Sequence, residues 1–168
     1  MQKIKTALLS YGMSGKVFHA PFLDLHSGFE ITGAWERSKR LIQSDFPEVK
    51  SYATLEALLQ DDCDLVIVNT PVGTHYEYAK QVLLAGKHAI VEKAFTTTVA
   101  EAQELAALAN EKGLQLAVFQ NRRWDSDFKT VQKILQDKIL GDIVEAEIHF
   151  DRYNPNLSPK VHKETQNA

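Results

Sequence analysis

Six residues near the start of the chain, Ser10-Tyr11-Gly12-Met13-Ser14-Gly15, join the apolar run Ile4 to Leu9 to a helical pattern that begins at Lys16. Glycines between a strand and a helix let main-chain N–H groups and the positive end of a helix approach an anion. Gly12 allows the backbone to come close, Gly15 allows tight packing of helix on strand, and Met13 and Ser14 lie between them. Ser10 stands where such a turn usually has its first glycine. The anion that fits is a dinucleotide pyrophosphate. An ordinary strand-to-helix turn uses the same residue types.

Four other segments carry candidate chemistry. Glu36 closes the second apolar run, near the place (~20 residues beyond the turn) where an acid meets the ribose hydroxyls of an adenosine. Arg37 and Ser38 follow it and suit a 2′-phosphate, whereas Lys39 and Arg40 suit a solvated helix start. NAD and NADP both remain open as cofactors. Thr70-Pro71 follows the fourth run, with a hydroxyl on a stiffened loop, and His75 either faces the cofactor or caps the next helix. Glu92-Lys93 ends the fifth run. Lys93 is the catalytic candidate, able to hold a substrate hydroxyl or assist a proton transfer, with Glu92 to orient it. Asn121-Arg122-Arg123-Trp124 follows the sixth run, and can bind phosphate, line a substrate mouth or pack a domain junction. Cys63 is the one cysteine, and the histidines lack metal-ligand spacing, so no metal site is expected.

The elements that must position these groups alternate along the chain. Phe29 to Trp35, Val49 to Tyr52, Asp64 to Asn69, His88 to Glu92 and Leu114 to Phe119 read as further strands. The β-branched run Asp64 to Asn69 suits a strand buried on both faces of a parallel sheet. A polar helix is expected from about Ser38, and a second one, capped by Thr54, through Leu59. Thr74-His75-Tyr76-Glu77 and Thr98-Val99-Ala100-Glu101 both have the form of a capping box, their helices ending near Gly86 and Gly113. The fold expected is α/β, a doubly wound (Rossmann) parallel sheet over residues 1–122.

From residue 123 to 168 the pattern differs, and reads as the start of an incomplete α+β C-terminal domain. Asp125 to Leu140 reads as an amphipathic helix ended by Gly141-Asp142, and Ile143 to Tyr153 alternates like a half-exposed antiparallel strand. Asn154 to Ala168 reads as loop or tail.

The 168 residues suit one domain and part of another. A formal charge of −3 without a basic stripe argues against a nucleic-acid partner. No run reaches membrane-spanning length or forms a signal h-region, so the expected location is the cytoplasm, with no membrane partner.

With these segments in order, the chain resembles the Gfo/Idh/MocA family, within it most like the scyllo-inositol dehydrogenase group. The resemblance rests on Tyr11 to Pro21, Thr70-Pro71-Val72-Gly73-Thr74-His75, Ala85-Gly86-Lys87-His88 with Glu92-Lys93, and Asn121 to Asp125. It implies a pyridine-nucleotide oxidoreductase acting on a sugar, cyclitol or related alcohol, with Lys93 at the lysine of the family's Glu-Lys-Pro motif. Ala94 replaces that motif's proline. The resemblance also implies a second domain with an Asp-x-x-x-His pair carrying the acid/base histidine, and a large sheet through which the full-length parent forms a homo-oligomer. No such pair follows Asp151. This chain is therefore expected to bind cofactor without full catalysis. The alternatives are a nucleotide-binding module without turnover, or an interaction fragment that uses strand 143–153.

Overall fold

A computed structural model of the chain describes residues 2–36, 39–151 and 153. Arg37, Ser38 and the segment 154–168 lie outside the described residues, and so do the readings made on them. The chain divides into two compact units, Met1–Arg122 and Arg123–Ala168.

The first unit is one six-stranded sheet. Its strands are β1 (Ile4–Leu8), β2 (Phe29–Trp35), β3 (Lys50–Tyr52), β4 (Leu65–Val68), β5 (His88–Glu92) and β6 (Leu116–Phe119). They lie in the order β3-β2-β1-β4-β5-β6, and every neighbouring pair is parallel. The order reverses direction between β1 and β4, which opens a crevice beyond their carboxyl ends. The doubly wound Rossmann sheet expected from the alternation is the fold observed.

Side chains alternate across β1 and β4 to feed two cores. Ala7, Leu9, Val66 and Val68 pack on one side, with Leu55 and Leu58 of α3 (Leu55–Gln60), Val82 and Leu83 of α4 (His75–Leu84) and Leu105 of α5 (Val99–Glu111). Leu8 and Ile67 pack on the other side, with Ala20 and Leu23 of α1 (Ala20–Leu25) and Ile42 of α2 (Ile42–Asp45). Each fully buried Leu or Ile here contributes about 1.5–3 kcal/mol of transfer free energy. Two-sided burial explains why β4 reads as an unbroken apolar run.

Several local expectations are corrected. The helix after the glycine turn passes through a π-helical turn, Gly15–His19, before α1 begins. The polar helix expected from Ser38 is the single turn α2, because the Glu36 carboxylate accepts from the N–H groups of Leu41 (2.8 Å) and Ile42 (3.2 Å) and so sets the helix start there. The capping box at Thr74 does not form. The Thr74 hydroxyl donates to the Pro71 carbonyl (2.7 Å) within the 3₁₀ turn Val72–Thr74. The box at Thr98 forms in full: Thr98 Oγ1 accepts from Glu101 N–H, and the Glu101 carboxylate accepts from Thr98 N–H.

In the second unit the helix α6 (Ser126–Gln136) stops short of Leu140, as Lys138 takes a left-handed conformation at φ 52°. Lys129 lies over the Trp124 ring at 5.0 Å. The expected strand 143–153 is absent among the described residues 143–151, where Val144 (98% exposed) and Ile148 (91%) meet solvent. An alternating pattern becomes a strand only when a neighbour completes its ladder, and no described segment pairs with this one.

Candidate functional site

A crevice of about 590 Å³ lies beyond the carboxyl ends of β1, β2 and β4. Leu9, Ser10, Tyr11 and Gly12 line one part of it, Glu36, Lys39 and Leu41 another, and Thr70, Pro71 and Thr74 a third. Trp35 and Tyr78 close the remaining side, their rings edge to face at 5.3 Å. Gly12, Glu36, Thr70 and Pro71, all named from sequence, therefore meet in one place.

The glycine turn is held by its own first residue. Ser10 Oγ accepts from Gly12 N–H at 3.2 Å, and Lys16 N–H closes on Gly12 O at 2.9 Å. Asn69, at the end of β4, donates its amide to Ser10 O at 2.7 Å. Asn69 Oδ1 is buried with no hydrogen-bond partner among the described residues. A Cβ on Gly15 would overlap the Ser10 carbonyl oxygen and lie 3.1 Å from Asn69 Nδ2. Glycine is required there by space, which lets the helix sit against the strand end. Met13 projects into solvent.

Tyr11 and Lys16 hold α2 against the turn. Tyr11 donates to Asp45 at 3.0 Å and Lys16 pairs with the same carboxylate at 2.8 Å. Burial and the hydrogen bond to Asp45 push the Tyr11 phenol well above its ordinary range, so it stays a donor. The Glu36 carboxylate is committed to Leu41 N–H, Ile42 N–H and the Ser51 hydroxyl (3.2 Å), although its residue lines the crevice.

The other sequence-named residues lie at the ends of β4, β5 and β6. Ser14 donates to Glu92 Oε1 at 2.6 Å, and His19 Nε2 lies 3.0 Å from the same oxygen. Lys93 N–H donates to Glu92 Oε2 at 3.1 Å. Burial pushes the Glu92 carboxyl up, and the hydrogen bonds from His19 and Ser14 more than reverse this, holding it at about 2. Lys93 itself is exposed. His75 is buried, its Nδ1 2.7 Å from Ala94 O and its Nε2 2.8 Å from Thr70 O. A neutral ring donates to one of these carbonyls, and only the protonated ring donates to both. Asn121, partly buried, and Arg122, exposed, begin the 3₁₀ turn Asn121–Trp124 that follows β6.

Four residues escaped the reading of the sequence. His19 is buried beneath Phe119 (ring centroids 4.3 Å apart), and its partner lies far away in sequence. Lys39, in a segment that suits a solvated helix start, instead lines the crevice. Trp35 and Tyr78 gave one usable signal: aromatics at a strand end and on the helix that follows the Thr70-Pro71 loop. Among the described residues no helix is long and apolar enough to cross a membrane, and no group of three or more His, Cys, Asp or Glu gathers at metal-binding distance.

A parallel sheet ordered 3-2-1-4-5-6, with a glycine turn at its switch point, defines a nucleotide-binding Rossmann domain. The family model described as "Oxidoreductase family, NAD-binding Rossmann fold" matches residues 4–120. The chain belongs to this family, Gfo/Idh/MocA. It is 48% identical over 159 residues to an uncharacterized oxidoreductase of Schizosaccharomyces pombe, C115.03, covering 91% of this chain and 43% of that protein. It is 39% identical over 158 residues to the scyllo-inositol 2-dehydrogenase (NADP(+)) IolW of Bacillus subtilis, covering 94% of this chain and 44% of the relative. The crystal structure of an oxidoreductase from Bacillus cereus superposes with a TM-score of 0.86 at 36% identity, covering 91% of this chain and 45% of that one. The chain thus spans less than half the length of these relatives.

Proposed function

We propose that this chain is the cofactor-binding part of an NADP-linked dehydrogenase acting on a sugar, cyclitol or related alcohol, with the cofactor lying along the 590 Å³ crevice. The observation that carries this reading is the convergence of the glycine turn, the Thr70-Pro71 loop and the second strand's end on one crevice at the switch point of the sheet. The donors there fit a dinucleotide: main-chain N–H groups at a helix start, the Thr70 hydroxyl, and the Lys39 ammonium.

NADP is favoured over NAD by Glu36. A carboxylate that selects NAD must accept from the ribose hydroxyls. Glu36 instead accepts from two N–H groups and a hydroxyl of its own fold, and Lys39 brings positive charge to the same wall. Arg37 and Ser38, next in the sequence, are the further candidates for a 2′-phosphate. IolW, which shares 39% of matched residues, carries NADP(+) in its name.

When bound, the nicotinamide would take up the hydride that leaves the alcohol carbon. Lys93 would hold the substrate hydroxyl at the β5 end and assist departure of its proton. Met13, Ser14, Gly15, Asn121 and Arg122 would shape the path of the cofactor. Residues 1–122 form the cofactor domain in this reading, and 123 onward begins the C-terminal domain, whose sheet would carry a homo-oligomer in the full-length parent. The protein works in the cytoplasm on a small-molecule substrate.

Fluorescence titration of the chain with NADPH and NADH tests the reading. NADPH is expected to bind at least tenfold more tightly, about 1.4 kcal/mol. Equal binding would refute the cofactor preference, and binding of neither would refute the site. With NADP⁺ and myo- or scyllo-inositol the chain alone is expected to show no turnover. Clear activity would refute the assignment of the acid/base to a second domain.

A further inference from the structure

Glu92 and His75 stand on either side of Lys93, and both are turned into the protein. Glu92 divides its two oxygens. Oε1 takes the Ser14 hydroxyl at 2.6 Å and lies 3.0 Å from His19 Nε2, both on the helix that begins in the glycine turn. Oε2 takes the main-chain N–H of Lys93 at 3.1 Å. One residue past Lys93, the Ala94 carbonyl lies 2.7 Å from His75 Nδ1, and His75 Nε2 lies 2.8 Å from the Thr70 carbonyl in the loop that lines the crevice. Polar contacts therefore run from Ser14 through Glu92 and the backbone of residues 93 and 94 to His75, whose ring sits between the Ala94 and Thr70 carbonyls and in its neutral form donates to one of them.

We propose that Glu92 and His75 are positioning residues, which lock the exposed Lys93 to both cofactor-holding loops and do not themselves touch the cofactor. This rests on the reading of the crevice as a dinucleotide site. The geometry gives each residue its task. The Glu92 side chain is 12% exposed and that of His19 3%, so their pairing is sealed from water. His19 and Ser14 fix one carboxylate oxygen, which leaves the other to hold Lys93 N–H. A lysine that must meet a substrate beside a bound cofactor gains from such a clamp, since a shift of about 1 Å at a reacting group costs up to about a hundredfold in rate.

The test uses the 168-residue chain and two readouts. The first is the affinity for NADPH of the His19→Gln, Glu92→Gln and doubly substituted chains. Glu92→Gln is expected to weaken binding about tenfold, the scale of one lost hydrogen bond to a charged group. His19→Gln on that background is expected to add less than about twofold, because both act through one link. Independent, multiplying effects would overturn the proposal. The second readout is the ¹H–¹⁵N resonance of the Lys93 amide without nucleotide. Ser14→Ala is expected to move it through Glu92, and His75→Gln to move both the Lys93 and Thr70 amides. Amides that stay in place would overturn the proposal whether or not nucleotide binds. If the wild-type chain bound neither nucleotide, the cofactor reading would fall while the amide shifts still decided the link. Should Glu92→Gln not fold, His19→Gln leaves the carboxylate in place and is expected to shift the Lys93 amide; no shift there would also overturn it.

Discussion

Gly15→Ala puts the packing of the glycine turn under direct strain. Gly15 is not among the glycines with positive φ, so a methyl group meets no conformational barrier there. It meets matter instead. The added Cβ would overlap the Ser10 carbonyl oxygen, which is main chain at the end of β1, and would press on Asn69 Nδ2 at 3.1 Å. Neither is the free end of a flexible side chain, because the Asn69 amide is bonded to that same carbonyl at 2.7 Å. Forcing a methyl into such a place costs about 1–3 kcal/mol. Loss of the Asn69–Ser10 bond adds about 1 kcal/mol. Alanine returns about 0.5–1 kcal/mol through its helix preference. The net is a destabilisation of about 1–3 kcal/mol, which lowers the thermal midpoint by about 2–12 °C. Thermal and urea unfolding followed by circular dichroism measure it. Gly73→Ala is the control: nothing lies within 4 Å of its added Cβ, so it should change stability by less than about 0.5 kcal/mol. Gly15→Ala unfolding at or above the wild-type midpoint would refute the steric reasoning. The same substitution should weaken NADPH binding, since the helix start must move away from the strand end.

Acid should unfold the protein partly through Glu92. Its carboxyl sits at about 2 in the fold against an ordinary 4.5, so the stabilisation is complete above about pH 4.5 and is lost as pH falls towards 2. The contribution is up to about 3 kcal/mol, and urea titrations between about pH 6 and pH 3 should show a shallower decline for Glu92→Gln than for wild type; parallel slopes would refute it. Thr98→Ala removes the capping box of α5 and should cost about 1 kcal/mol by urea unfolding, with Thr98→Ser largely spared. Gly86→Ala meets no atoms within 4 Å but stands at φ +75°, so it should cost about 1–2 kcal/mol for backbone reasons alone, read as a lower thermal midpoint.

The strands were legible because most are short apolar runs, and all six lie within two residues at either end of where the pattern put them; Phe29–Trp35 and His88–Glu92 coincide with their expected ends. What periodicity could not supply was the competition for hydrogen bonds. Thr74 and Thr98 stand in the same Thr-x-x-Glu pattern, yet only Thr98 caps. The Thr74 hydroxyl has the Pro71 carbonyl at 2.7 Å and the Thr70 hydroxyl at 2.8 Å, both offered by a loop that turns back on it. Likewise the acid at the end of β2 was visible, but not that Leu41, Ile42 and Ser51 would claim its oxygens. His19 and Glu92 meet only because the β1 turn and the β5 end become neighbours in the folded sheet. The alternation of 143–153 failed for the opposite reason: a pattern states what a strand would expose, and cannot provide the strand that pairs with it.

Ser10 shows how a departure from the usual glycine can be absorbed. Its Oγ accepts from Gly12 N–H at 3.2 Å, a donor for which a pyrophosphate oxygen would compete in the proposed cofactor site. That bond is long for a hydrogen bond to a hydroxyl, and a charged phosphate oxygen is the stronger acceptor. The serine thereby ties the start of the turn to Gly12 through its own hydroxyl. Its carbonyl has separate duties, receiving the Asn69 amide and bounding the space at Gly15. The first position of the turn thus shapes the turn through its side chain and seats the helix start through its main chain. Only the side-chain part differs from what glycine would do.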